Sequence, residues 1–150
     1  MVTAVLATQH ALNLYPQKEK PMGFLSGMFG NATEADAEKI QEKFKEIFIP
    51  EEQVHAAFVL VRDTFIFTDK RLILVDVQGT TGKKTEYLSV PYKSIKYFSV
   101  ETAGTFDRNS ELKVWVSGSR STPTISKQIK KGIDIVSLQR TLAHFVMSSS

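Results

Sequence analysis

Three runs decide the fold: Val54-His-Ala-Ala-Phe-Val-Leu-Val61, Thr64-Phe-Ile-Phe-Thr68 and Leu72-Ile-Leu-Val-Asp-Val77. They are rich in β-branched and aromatic residues, and only turn-sized gaps at Arg62-Asp63 and Asp69-Lys70 separate them, so they predict consecutive antiparallel strands. Their centres are apolar on both strand faces. A sheet with one wet face alternates, whereas Phe58 to Val61, Phe65 to Phe67 and Leu72 to Val75 do not. These strands therefore need a cover outside as well as a core inside. The cover could be a preceding helix, the segment before that helix, or a second copy of the chain. A single helix is expected to be too narrow for three strands, which predicts self-association, and Val59, Ile66 and Ile73 are read as an oligomer or packing surface.

Downstream, a Gly79-Thr-Thr-Gly82 loop leads to a strand over Thr85 to Val90, closed by Pro91. A turn at Tyr92 to Ser94 precedes strands at Ile95 to Thr102, Glu111 to Ser117 and Thr124 to Lys130. In the middle one Leu112, Val114 and Val116 alternate with Lys113, Trp115 and Ser117. Asp134 is placed to cap a final helix, about 134–147, whose apolar stripe is Ile135, Leu138, Leu142, Phe145 and Val146.

Upstream, Ile40, Phe44, Ile47 and Phe48 recur at helical spacing, predicting a helix over about 33–48 with Thr33 as its cap and Pro50 beyond its end. The organisation is then an extension over 1–21, one domain over 22–147 with strands between about 53 and 130, and a tail over 148–150. The fold class is mainly β with flanking helices: a seven-stranded antiparallel sandwich or partly open barrel capped by the C-terminal helix, with an extra N-terminal helix. Within Met22 to Gly30, Phe24, Leu25 and Phe29 are read as residues that pack on the domain or on a neighbouring copy. No cationic face accompanies them, as an interfacial membrane helix requires.

Composition removes several functions. The 150 residues carry 19 Lys plus Arg against 16 Asp plus Glu, a net charge of +3, well below a dedicated nucleic-acid binder. There is no cysteine, hence no disulfide, zinc-thiolate site or thiol nucleophile. The N-terminus lacks a basic region before its mildly apolar run, and no stretch approaches the length of a spanning helix, so a cytoplasmic protein is expected, with membrane association left open.

Little points to catalysis. His10, His55 and His144 show no metal-ligand spacing, and no nucleophile elbow exists. The Gly79 to Thr85 loop resembles the tail of a phosphate-binding loop, but Val77 stands where its first glycine belongs and no helix follows. Asp76, after a wholly apolar run, is expected to have a raised pKa if buried, with no partner visible. The chain is read as not an enzyme, with no cofactor and no metal. The cations that could hold an anion are Arg62, Lys83, Lys84, Lys127, Lys130 and Lys131, if several turns share one rim; turn and edge lysines that keep a β-protein soluble are the commoner cause.

Arg62-Asp63 leading into Phe67-Thr-Asp-Lys-Arg-Leu-Ile-Leu-Val-Asp76, then Thr81-Gly-Lys-Lys84, Pro91-Tyr-Lys-Ser-Ile95, Phe98-Ser-Val-Glu-Thr-Ala-Gly104 and Lys130-Lys-Gly-Ile-Asp-Ile135, resembles the bacterial pleckstrin-homology (PH) domain family over about residues 22–147. The resemblance implies two near-orthogonal antiparallel sheets, a C-terminal capping helix and a homo-oligomer, possibly a ring. It implies no settled molecular function. The head-group pattern of eukaryotic relatives, a Lys followed after a spacer by Arg-x-Arg, is represented only by Arg62 beside Asp63. The expected function is a non-enzymatic, self-assembling module binding a protein or peptide. The alternative is peripheral binding of anionic membrane lipid, or another phosphate-bearing ligand, through the turn lysines.

Overall fold

The structure is a computed structural model that describes residues 34–106, 109–119 and 121–149. Phe24, Leu25, Phe29 and the Thr33 cap lie outside the described residues. Seven strands form two antiparallel sheets: β1 (Val54–Val59), β2 (Thr64–Thr68), β3 (Arg71–Gln78) and β4 (Lys84–Pro91) in one, and β5 (Ile95–Glu101), β6 (Asn109–Val116) and β7 (Ile125–Lys130) in the other. Each sheet follows chain order, and the two do not close into a barrel. The fold class read from sequence holds, as an open sandwich.

Between the sheets lies one core. Phe58, Phe65, Phe67, Leu72 and Leu74 meet Ile95, Leu112, Val114, Ile125 and Ile129, and helix α2 (Ile135–Ser148) adds Leu138, Leu142 and Val146. Asp134 caps α2 as its sequence position suggests, its carboxylate accepting from the Ser137 amide at 3.0 Å. Phe145 carries the helix into the core by stacking on Tyr92 (5.0 Å between centroids) and Phe67 (5.8 Å).

The first sheet has a second apolar layer. Helix α1 (Glu34–Lys43) is shorter than the 33–48 helix expected. The chain leaves helical geometry at Phe44 (φ −113°, ψ 20°) and makes a 3-10 turn at Lys45–Ile47. The break lets Phe44, Ile47 and Phe48 join Ala37 and Ile40 on Val54, Ile66, Ile73 and Val75. Ile66 and Ile73 are completely buried inside one copy of the chain. Of the oligomer or packing surface read from sequence, these two residues thus pack under a cover from the same chain. The helix alone would be too narrow, but the helix plus its 3-10 extension is not, and each isoleucine gains about 1.5–3 kcal/mol from that burial.

Candidate functional site

At the end of the four-stranded sheet the β1–β2 turn meets the β3–β4 loop. The Leu60 amide donates to the Asp63 carbonyl (2.8 Å), closing the turn and ending β1 two residues before the expected Val61. An Arg62 guanidinium nitrogen donates to the Gly79 carbonyl. Gly79 (φ 76°) and Gly82 (φ 64°) take the left-handed backbone that makes this loop tight, and the Gly82 amide closes it on Gly79 at 3.3 Å.

Beneath the loops, Lys127 reaches across from the second sheet, its ammonium 3.1 Å from Asp63 Oδ2 and 3.0 Å from Asp76 Oδ2. Asp63 also accepts from the Val77 amide at 3.1 Å. Burial pushes the Asp76 carboxyl up, but hydrogen bonds led by Lys127 outweigh it, so Asp76 sits below its ordinary value. This overturns the raised pKa expected for Asp76. Burial pushes Lys127 down, and the Asp76 and Asp63 carboxylates more than reverse that, leaving it raised.

The six candidate cations therefore do not share one rim. Arg62 and Lys83 occupy the two loops at this end and Lys84 opens β4 beside them, but Arg62 is engaged with a carbonyl and Lys127 is held between two carboxylates. On β7 the buried Ile125 and Ile129 alternate with exposed Ser126, Gln128 and Lys130, so Lys127 and Lys130 face opposite sides. Lys130 pairs in register with Asn109, and Lys131 follows in the turn towards α2.

The sheet's other end carries a buried polar knot that sequence reasoning missed. Glu52 is 1% exposed. Its carboxylate accepts from Arg71 Nε (2.9 Å), the Thr68 hydroxyl (2.7 Å) and the Ile49 amide (3.0 Å). Burial pushes this carboxyl up, and those bonds, Arg71 first, bring it below its ordinary value. Arg71 also donates to the Ile47 carbonyl (2.7 Å), and Gln41 of α1 bonds the Glu52 carbonyl (3.0 Å) and the Val54 amide (2.7 Å). The knot pins α1 and its 3-10 extension to the sheet. It was hidden because its members are far apart in sequence.

The first sheet's outer face leaves open an apolar strip and, on β4, the polar Ser89. One cross-strand row runs Val59–Thr64–Val75–Tyr87. Its middle is buried, while Val59 is 62% exposed and Tyr87 48%; Val61, just beyond, is 72% exposed. On the second sheet's outer face Tyr97 stacks on Trp115 at 4.8 Å. Trp115 falls on the same alternating set as Lys113 and Ser117, and it is half-buried beside the exposed Tyr97. Among the described residues no three His, Cys, Asp or Glu side chains are grouped to hold a metal, and no helix is long and apolar enough to cross a membrane. His55 and His144 instead pack on Phe145, with ring centroids 5.8 and 5.2 Å away.

The bacterial PH domain family profile matches residues 23–146. The chain is 56% identical over 126 residues to the uncharacterised protein YjqA of Bacillus subtilis (strain 168), covering 84% of this chain and 100% of that protein. Among solved structures it is similar to the pleckstrin homology domain from Shewanella amazonensis SB2B, with 48% identity, a TM-score of 0.70 and coverage of 82% of this chain and 98% of the other. A DUF1696 family protein with a pleckstrin-homology domain from Shewanella loihica PV-4 is 50% identical, with a TM-score of 0.63 and coverage of 78% and 98%.

Proposed function

The chain belongs to the bacterial PH domain family, and from that premise we propose that it is a non-enzymatic protein-interaction module that self-associates through the Val59 and Val61 end of its four-stranded sheet. The carrying observation is that α1 and its 3-10 extension cover Ile66 and Ile73 but leave Val59 and Val61 mostly in water beside that buried apolar layer. Protein binding has better support than an anionic lipid or phosphate ligand. The loops that hold Arg62 and Lys83, and the start of β4 with Lys84, also bring Asp63, Asp76 and Glu86 to the same end, and Lys127 is neutralised there. An anion approaching this end would meet about as much negative as positive charge.

Light scattering across the micromolar range tests the reading. The wild-type chain is expected to show multiples of 16.8 kDa, and V59E/V61E to stay monomeric with an unchanged melting temperature. A wild-type mass of one chain throughout overturns it. Salt-sensitive sedimentation with anionic vesicles, absent from K83A/K84A, would instead favour the lipid reading.

A further inference from the structure

Resting on the reading of the chain as a protein-interaction module, but not on its Val59 and Val61 surface, we infer a second docking site on the outer face of β5. Its ligand is a proline-rich peptide with a basic residue four positions from the docked proline. The face is built around Tyr97 and Trp115, direct cross-strand partners stacked at 4.8 Å with 27° between their ring planes. Trp115 is half-buried, and its indole N–H turns to the Ser121 carbonyl at 3.4 Å, which holds the stack on the sheet. Tyr97 is 47% exposed, and its hydroxyl makes no hydrogen bond among the described residues. Strand β5 is an edge of its sheet, so the ring face that Tyr97 turns away from Trp115 looks towards the free side.

A polyproline segment fits such a ring. Its backbone is extended before binding and so loses little freedom, and its pyrrolidine rings pack flat on aromatic faces.

Charge sets the second contact. Tyr97, Ser99 and Glu101 all lie exposed on this face, and Glu101 stands directly opposite Glu111. Like charges in that relation are unfavourable. Glu111 is relieved by Lys113 at 2.9 Å and by the Ser126 hydroxyl at 2.9 Å. Glu101 has no hydrogen bond or ion pair among the described residues, so it is the carboxylate that an arriving cation relieves. From Tyr97 to Glu101 the strand advances about 13 Å, and four polyproline residues advance about 12 Å. That match fixes the spacing in the ligand. The same carboxylate repels phosphates, which turns a base-stacking nucleic acid away from the aromatic pair.

Trp115 is the chain's one tryptophan, so its emission reads docking directly. The full chain is titrated with a blocked octapeptide of four prolines, three alanines and a terminal arginine, and with the reversed sequence to cover the other chain direction. The expected result is a saturable emission shift with one of the two, at least tenfold tighter than with glutamate in place of arginine. Y97A should weaken binding at least tenfold. E101R should reverse the preference, so that the glutamate peptide binds better, an exchange that a folding defect cannot produce. No saturable shift in either direction, or binding indifferent to the peptide's charge or to Y97A, overturns the proposal. Saturable quenching by oligothymidine alone also overturns it and makes the pair a base-stacking surface. V59E/V61E should bind the peptide as the wild type does. Peptide binding by a chain that stays at one-chain mass removes only the self-association surface; multiples of 16.8 kDa without peptide binding remove only this site.

Discussion

The two sheets carry opposite outer faces. On β2 every residue is buried, and on β3 the run Leu72 to Val75 is buried without a break; on β7 buried and accessible positions alternate along the strand, and β5 is mostly open. Strands β1 to β3 of the first sheet are a middle layer with apolar packing on both sides, and the second sheet is a wall with water behind it. The loss of alternation in sequence thus reports an extra layer, and the difference locates where substitution is costly and where it is free.

The largest effect should come from that extra layer. Ile73→Ala and Ile66→Ala remove fully buried side chains from beneath α1 and should each cost about 2–5 kcal/mol in denaturant titration. Ser99→Ala on the open face of β5 should stay within about 0.5 kcal/mol. If Ile73→Ala cost less than about 1 kcal/mol, α1 would be resting on the sheet rather than packed into it, and the contrast between the faces would fail.

Next is the knot that fastens the layer. Glu52→Gln breaks a buried ion pair with Arg71 and should cost about 3 kcal/mol near neutral pH. The sign with pH follows from the lowered carboxyl: its stabilisation is present above the ordinary value of 4.5 and lost as pH falls through the lower folded value. Thermal melts from pH 7 to 2 should therefore show wild type and variant converging as acid is added. Curves that stay parallel would mean the ionised carboxylate is not what holds the helix. Glu111 on the open sheet is also lowered, first by its Lys113 hydrogen bond. That pair sits in water, so Glu111→Gln should change the melts little.

How much was legible follows the same division. Strand order, the doubly apolar character of β1 to β3 and the Asp134 cap depend on neighbours in sequence, and all were readable. The covering element was readable in kind but not in extent, because the break at Phe44 is set by the sheet beneath it, which draws Phe44, Ile47 and Phe48 to one side. Long-range polar partners left no local trace. Arg71 reads as one more turn cation, Glu52 as one more surface acid, and Lys127 as part of a basic run with Lys130 and Lys131. Pairing across elements gave them different roles, and the same pairing took Lys127 from the candidate anion binders.

The smallest expected effect belongs to the point where the two sheets are tied together. Lys127 rises from the inner side of β7 to meet Asp63 and Asp76, so the open wall is fastened to the covered layer by one partly buried ammonium. In a double-mutant cycle, Lys127→Met and Asp76→Asn should couple by about 1 kcal/mol, most of it because either single change leaves a charge without its partner. Lys127 is raised, so its contribution is complete below the ordinary lysine value of 10.5 and disappears as pH climbs through the higher folded value. The wild type should therefore lose its advantage over Lys127→Met only in strong base, at the opposite end of the pH scale from Glu52. A coupling near zero would mean that the apolar core alone holds the sheets at this end. Loss of the advantage already near neutrality would mean that Lys127 is solvated rather than clasped, returning it to the cations available for an outside ligand.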